Sequence, residues 1–165
     1  MNNEQLLQMY DAIRQQPDLL VKAAARKRLI NFARYMQPDL VLEPFHVVYY
    51  TLLDMFAHGK IRKMIVQQPP QQGKSEGSSR KLPAFMLGLD PDRKICIGSY
   101  AATIARDFNR DVQRIIDTPR YRELFPGTYL NGSNVVTMAN TYLRNSDVIE
   151  MVGRKGSLRV VGRGG

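Results

Sequence analysis

Gly73, Lys74 and Ser75 are the residues of this sequence best suited to do chemistry, and they close the run IVQQPPQQGKSEGSS over 65–79. A phosphate-binding loop needs a small residue where backbone N–H groups approach the anion. It also needs a strand to hold it and a helix whose N-terminus faces the charge. A lysine then adds a point charge for the outer phosphates, and the hydroxyl that follows it serves as a magnesium ligand. Gly73, Lys74 and Ser75 supply these parts in this order. The usual spacing is G-x-x-x-x-G-K-[ST], and the place of its first glycine falls on Gln68. The loop therefore departs from the pattern, and a turn with a solvated lysine is the rival reading. Pro69 and Pro70 stiffen the chain as it leaves the preceding segment.

No other set of residues competes with the loop. His46 and His58 are isolated from metal-ligand company and read as helix histidines at caps or half-buried sites. Cys96 lies in an apolar run and is expected in the core. As the single cysteine it forms no disulfide within the chain, which fits a reducing compartment. An ATPase also needs a strand ending in acidic residues, one to help hold magnesium and one to orient the attacking water. No apolar run ends in paired acids, and Glu150 inside DVIEMVGRKG is a poor substitute.

The elements that must position the loop follow from spacing and punctuation. A short helix is expected over 3–16 and a second over 18–36, closed by Gln37-Pro38. Lys22, Arg26, Lys27 and Arg28 cluster there, as a solvated face or a nucleic-acid contact. A helix over 44–58 opens on Pro44, with Phe45, Val48, Leu52, Met55 and Phe56 on one face. IRKMIVQ, 61–67, reads as a buried strand leading into the loop. A helix over 74–88 follows, with Pro83 expected to kink or shorten it. KICIGSY, 94–100, is the next strand. The helix over 102–118 sets Ile104, Phe108, Val112, Ile115 and Ile116 on one side. TPRYRELFPGT is irregular with a single helical turn, and NVVTM, DVIEMV and SLRVVG read as short strands, free to pair antiparallel. Helices between the first strands imply crossovers, so the expected fold class is α/β: a P-loop NTPase-type, mostly parallel sheet with flanking helices, an N-terminal helical segment, and an incomplete C-terminus.

Charge is unevenly spread along the 165 residues. Residues 1–60 hold 7 basic and 6 acidic side chains, while 61–165 hold 17 and 9, so nearly all of the net +9 sits in the second part. A basic half suits a phosphate-rich partner, nucleotide or nucleic acid. No apolar run approaches the roughly 18–20 residues that span a bilayer, so no membrane partner is expected. The polar opening, MNNEQLLQMYDAIRQQPD, lacks the pattern of a signal peptide.

The run EPFHVVYYTLLDMFAHGKIRKMIVQQPPQQGKSEGSSRKLPAFMLG resembles the large subunit of phage terminases, the ATPase motor that packages DNA. SYAATIARDFNRDVQRIIDTPRYRELFP and GSLRVVGRGG resemble the family's following segments. The resemblance covers about residues 40–165. It divides the chain into an N-terminal helical segment, 1–40, and a partial ATPase domain, 41–165. It implies ATP and Mg2+ as cofactors, bound by Gln68, Pro69, Pro70, Gln71, Gln72, Gly73, Lys74, Ser75 and Glu76. Lys74 would be catalytic and Ser75 the magnesium ligand. Pro44, Phe45 and His46 fall at the family's adenine side. Many relatives have arginine where this chain has Gln71, so a sensing role for a loop arginine does not carry over. Arg106, Arg110, Arg159 and Arg163 are candidate trans-acting arginines, with surface pairing to Asp107 and Asp111 the rival reading for the first two.

The family also implies double-stranded DNA, a small terminase subunit and a portal protein as partners. It implies a homo-oligomeric ring, a following endonuclease domain, and the cytoplasm of an infected bacterial host. Its acidic motif would come after Gly165, so the expectation is the front of a larger protein that binds ATP with little hydrolysis. The alternatives are another P-loop or helicase-like ATPase fragment, and an inactive DNA-binding remnant of a prophage gene.

Overall fold

The computed structural model describes residues 5, 17–136 and 141–163. The predicted helix over 3–16 lies outside them except for Gln5, and so does part of NVVTM. The described elements run α1 (Pro17–Lys27), α2 (Leu29–Met36), α3 (Pro44–Ala57), a π turn (Glu76–Lys81) continuing into α4 (Leu82–Leu89), β1 (Lys94–Ser99), α5 (Ala102–Asp117), α6 (Pro119–Leu124), β2 (Val148–Glu150) and β3 (Ser157–Gly162).

This is an α-rich fold with one small mixed sheet, which corrects the expected mostly parallel, P-loop-type sheet. The sheet order is β1-β3-β2, with β1 parallel to β3 and β2 antiparallel to it. The correction comes from residues 61–67. They leave α3 extended but pair with no strand among the described residues. Met64 and Val66 pack inward, whereas Ile65 is 92% exposed. One row of side chains holds the segment down, and without a ladder it is not a strand. Val135 of NVVTM makes only an isolated bridge to Arg144.

The sheet is covered on one face. Ile149, Leu158 and Val160 are buried, and Ile95 and Ile97 are half-buried, on the side that packs against α5. Lys94, Cys96, Arg159 and Val161 occupy the opposite face and are exposed. Cys96 is therefore not a core residue. The parallel-strand expectation of burial on both sides fails because no described element covers that second face.

The expected helix over 18–36 is broken at Arg28, whose backbone is extended (φ −132°, ψ 127°). Asp54 of α3 joins the two pieces. Its Oδ1 accepts the Leu29 amide at 2.7 Å, and its Oδ2 lies 3.0 Å from the Arg28 guanidinium. The basic cluster is not simply a solvated face. Arg26 donates to the carbonyls of Glu123 and Leu124, both at 2.8 Å, and Lys22 pairs with Glu123 at 2.8 Å. Lys22 and the Tyr35 hydroxyl hold the Glu123 carboxyl below its ordinary range.

Phe32, Phe85, Tyr121 and Phe125 form the aromatic centre, with ring centroids 5.2–6.4 Å apart. The Tyr121 hydroxyl donates to the Ala84 carbonyl at 2.8 Å, and burial pushes its phenol pKa up. The single turn expected in TPRYRELFPGT is α6, capped by the Thr118 hydroxyl, which accepts the Tyr121 amide.

In α3 the buried side chains are Tyr49, Tyr50, Leu53, Asp54 and Ala57. Phe45, Val48 and Leu52, from the face singled out in the sequence, are exposed. Among the described residues, no helix is long and apolar enough to cross a membrane.

Candidate functional site

The loop over 68–73 runs from the extended segment to the helix that starts at Lys74. Gln71 (φ 64°) and Gly73 (φ 70°) are both in the left-handed region. Glycine suits that conformation, whereas glutamine is strained there. The first bond of the helix runs from the Gly77 amide to the Gly73 carbonyl at 3.0 Å. The amides of Lys74, Ser75 and Glu76 therefore have no acceptor within the helix. They form its electropositive end, the arrangement that takes an anion.

Lys74 is exposed and makes no ion pair among the described residues. Ser75 is half-buried. Glu76 is turned away along the helix, with Oε1 3.2 Å from Lys81 Nζ and Oε2 3.5 Å from Arg80. Gln68 is half-buried, and its Oε1 is enclosed with no hydrogen-bond partner among the described residues. Pro69, Pro70, Gln71 and Gln72 form the exposed outer wall.

α3 supports the loop from one side. The Tyr49 hydroxyl donates to the Lys74 carbonyl at 2.6 Å, and its ring packs against Gly77. Burial raises the pKa of that phenol, so it stays a protonated donor. His46 is third in α3 after its N-cap, Glu43. The Glu43 amide donates to His46 Nδ1 at 3.0 Å. With Nδ1 accepting, a neutral imidazole carries its proton on Nε2. That Nε2 lies 3.5 Å from where a Cβ on Gly73 would sit. The histidine is thus both a cap residue and a donor beside the loop. The Phe45 ring lies on it, centroids 3.9 Å apart, and lines an apolar groove of about 230 Å3 with Val48, Leu52, Met64 and Gln68. Pro44 starts the same helix and is exposed.

Sequence reasoning missed Tyr49 altogether. Its spacing on an apolar helix gives no sign that its hydroxyl reaches the loop. Tyr49→Phe is expected to cost about 1 kcal/mol of stability, the net worth of one hydrogen bond. Urea denaturation checks this, and an unchanged midpoint would mean that the bond does not tie the loop to α3.

The arginines lie elsewhere, and among the described residues none bonds to the loop. Arg106 pairs with Asp147 at 2.7 Å, not with Asp107 or Asp111. Arg110 pairs with Asp107 at 2.7 Å, and Asp111 is taken by Arg80 and Arg114. Arg159 stands on the open sheet face, and the exposed Arg163 donates its amide to the Ser99 carbonyl. Glu150 accepts the Leu143 amide at 2.9 Å. His58 caps the end of α3, its Nδ1 2.8 Å from the Asp54 carbonyl. No group of three or more His, Cys, Asp or Glu able to hold a metal occurs among the described residues.

The loop's donor set fits a polyphosphate: backbone amides, a free ammonium and an imidazole N–H. For a magnesium ion the loop provides one hydroxyl, on Ser75. Magnesium keeps several waters and takes phosphate oxygens, so one protein ligand at the loop is compatible with a phosphate-borne ion. No family model, curated protein or solved structure matches the chain.

Proposed function

We propose that the 68–76 loop binds the phosphates of ATP, and that the chain is the ATP-binding front portion of a phage terminase large subunit. The observation that carries the first part is the free, exposed Lys74 at the start of a helix, directly after a loop with two left-handed residues. The second part is supported by the family-like runs around EPFHVVYY, PPQQGKSE and PRYRELFP. It concerns the loop and its flanking helices, on an α-rich fold.

In this reading, Gly73 lets the chain turn while the amides after it face the outer phosphates. Lys74 neutralises them, and His46 Nε2–H adds a donor from α3. Ser75 would hold the magnesium that accompanies ATP, an ion that draws charge from the phosphate oxygens. The groove beside Phe45 and Leu52 takes the apolar base side. Glu76 is engaged with Lys81 and Arg80, so it is not available to orient a water. Binding without appreciable hydrolysis is the expected behaviour of these residues.

Titration calorimetry with magnesium ATP tests the reading. Wild type is expected to bind, and Lys74→Ala to lose about 10- to 100-fold in affinity. That loss matches one hydrogen bond to a charged group, about 1.5–3 kcal/mol. Equal affinity in the two proteins would remove the loop from consideration as the phosphate site.

A further inference from the structure

The sheet face that no described element covers ends in a groove of about 870 Å3, lined by Lys94, Arg154, Lys155, Arg159, Ser157 and Tyr142 among others. Four of these are cations. All four are exposed, and none forms an ion pair among the described residues. The lining also holds one carboxylate, Glu150, which accepts the Leu143 amide, so four cations stand against one anion. Of the acids close by, Asp92 accepts the Lys155 amide at 2.8 Å. Lys27, Arg34 and Lys74 are also exposed without ion pairs among the described residues, but they stand on separate helices and line no common groove. Many of the other basic side chains are engaged. Lys22, Arg26, Arg28, Arg80, Lys81, Arg106, Arg110, Arg114 and Arg144 are bonded to acids or carbonyls within the fold.

We propose that this groove holds the sugar–phosphate backbone of a nucleic acid. The proposal is independent of the phosphate loop. Backbone register sets the spacing of the cations. Lys94 lies opposite Ser157 and Cys96 opposite Arg159, so the two cations are one two-residue step apart on neighbouring strands. Their Cα atoms are offset about 6.6 Å along the strands and about 4.8 Å across them, roughly 8 Å apart, so the two side chains address different phosphates of a chain that carries one charge per about 3.4 Å of rise in each strand. Arg154 and Lys155, in the turn between β2 and β3, extend the row beyond the sheet. Cations in a row along an open trough suit a polymer of charges; a single phosphate is better served by donors that converge on one point. Ser157, Tyr142 and Thr141 also line the groove, and hydroxyls commonly join cations in contacting phosphate and sugar. An acidic polypeptide would match the charge but has no fixed backbone charge spacing for the register to address.

The test is fluorescence anisotropy of the full chain with a short labelled DNA duplex and with its single strand, over a series of salt concentrations. The double variant Arg154→Glu/Lys155→Glu is expected to weaken binding at least about 10-fold and to flatten the log–log salt slope by about 2. The control Lys27→Glu/Arg34→Glu makes the same charge change at exposed helix positions without ion pairs, and is expected to change affinity less than about 3-fold. Lys155→Ala and Arg159→Gln, each expected to flatten the slope by about 1, give the same reading if the double variant fails to fold.

Whether the duplex or the single strand binds more tightly identifies which backbone the groove takes, and a salt-dependent complex with either supports it. Three results would overturn the proposal: equal losses in the groove and control variants, no salt-dependent binding by wild type, or polyglutamate competing as well as DNA. Lys74→Ala is expected to leave DNA affinity unchanged, and a loss there would move the nucleic acid to the loop and away from the groove.

Discussion

Gly156→Ala is expected to destabilise the chain by more than about 3 kcal/mol, or to prevent folding outright. A Cβ at this position would lie 2.1 Å from the Pro91 carbonyl oxygen and 2.9 Å from that of Arg93. Both are backbone atoms, so no rotamer change relieves the overlap. Separating the two segments would also stretch the bond from the Gly156 amide to the Pro91 carbonyl and that from the Ser157 amide to the Arg93 carbonyl, each 3.1 Å. These bonds set the start of β3 beside β1. Overpacking ordinarily costs about 1–3 kcal/mol, and rigid backbone on one side places this case at or above the top of that range. Gly132→Ala is the control, because nothing lies within 4 Å of its Cβ position. It is expected within about 0.5 kcal/mol of wild type. Chemical denaturation of both variants decides, and a Gly156→Ala protein within 1 kcal/mol of wild type would mean that the approach of the two segments is looser than described.

Asp54→Ala is expected to lower stability by about 3 kcal/mol. α2 begins without a cap of its own, since Arg28 is its N-cap and contributes no side-chain acceptor. Asp54, on a different helix, accepts the Leu29 amide at 2.7 Å in its place, and both groups are buried. Removing the carboxylate leaves a buried donor unpaired, about 1–3 kcal/mol, and removes the cap and the partner of Arg28. Arg28 is half exposed, so its share is small. For a chain of this size the loss corresponds to a fall of about 6–12 °C in melting temperature. Asp54→Asn keeps an acceptor and is expected to recover more than half of it. If Asn behaves like Ala, the ion pair and not the cap carries the effect.

These two residues show what the sequence leaves hidden. Asp54 sits mid-helix among apolar neighbours, and the amide it caps is 25 positions away, so no local pattern reveals it. α3 itself was legible in its bounds, because Pro44 and Gly59 punctuate it. Its buried face was not, since PFHVVYYTLLDMFA is apolar nearly all round and periodicity cannot choose a side. The phosphate loop was legible in composition because glycine, lysine and serine announce themselves. The supports that orient it, Tyr49 and His46 Nε2, depend on how α3 lies against the loop, and only the fold supplies that. The sheet was misread for a related reason. IRKMIVQ has the composition of a strand, but a strand is a relation between two segments. β1 carries a clue that could have been used: Lys94, Cys96 and Gly98 alternate with Ile95, Ile97 and Ser99, the pattern of a half-covered sheet.

The π turn over Glu76–Lys81 bears on how the helix from Lys74 to Leu89 should be plotted. Pro83 has no amide to donate and would collide with the carbonyl four residues earlier. In the wider turn the Leu82 amide reaches back to Gly77, and that collision is relieved. Each wide ring contains one residue more than an α ring. A helical wheel drawn unbroken through all sixteen positions therefore slips by about one residue, roughly 100°, between its first turn and its last. Two wheels are needed, one whose angular origin is set by Lys74 and Ser75 and another set by Phe85 and Leu87. A single-residue deletion inside Glu76–Lys81 would merge them into one, rotating the lysine around the axis while the aromatic centre kept its azimuth.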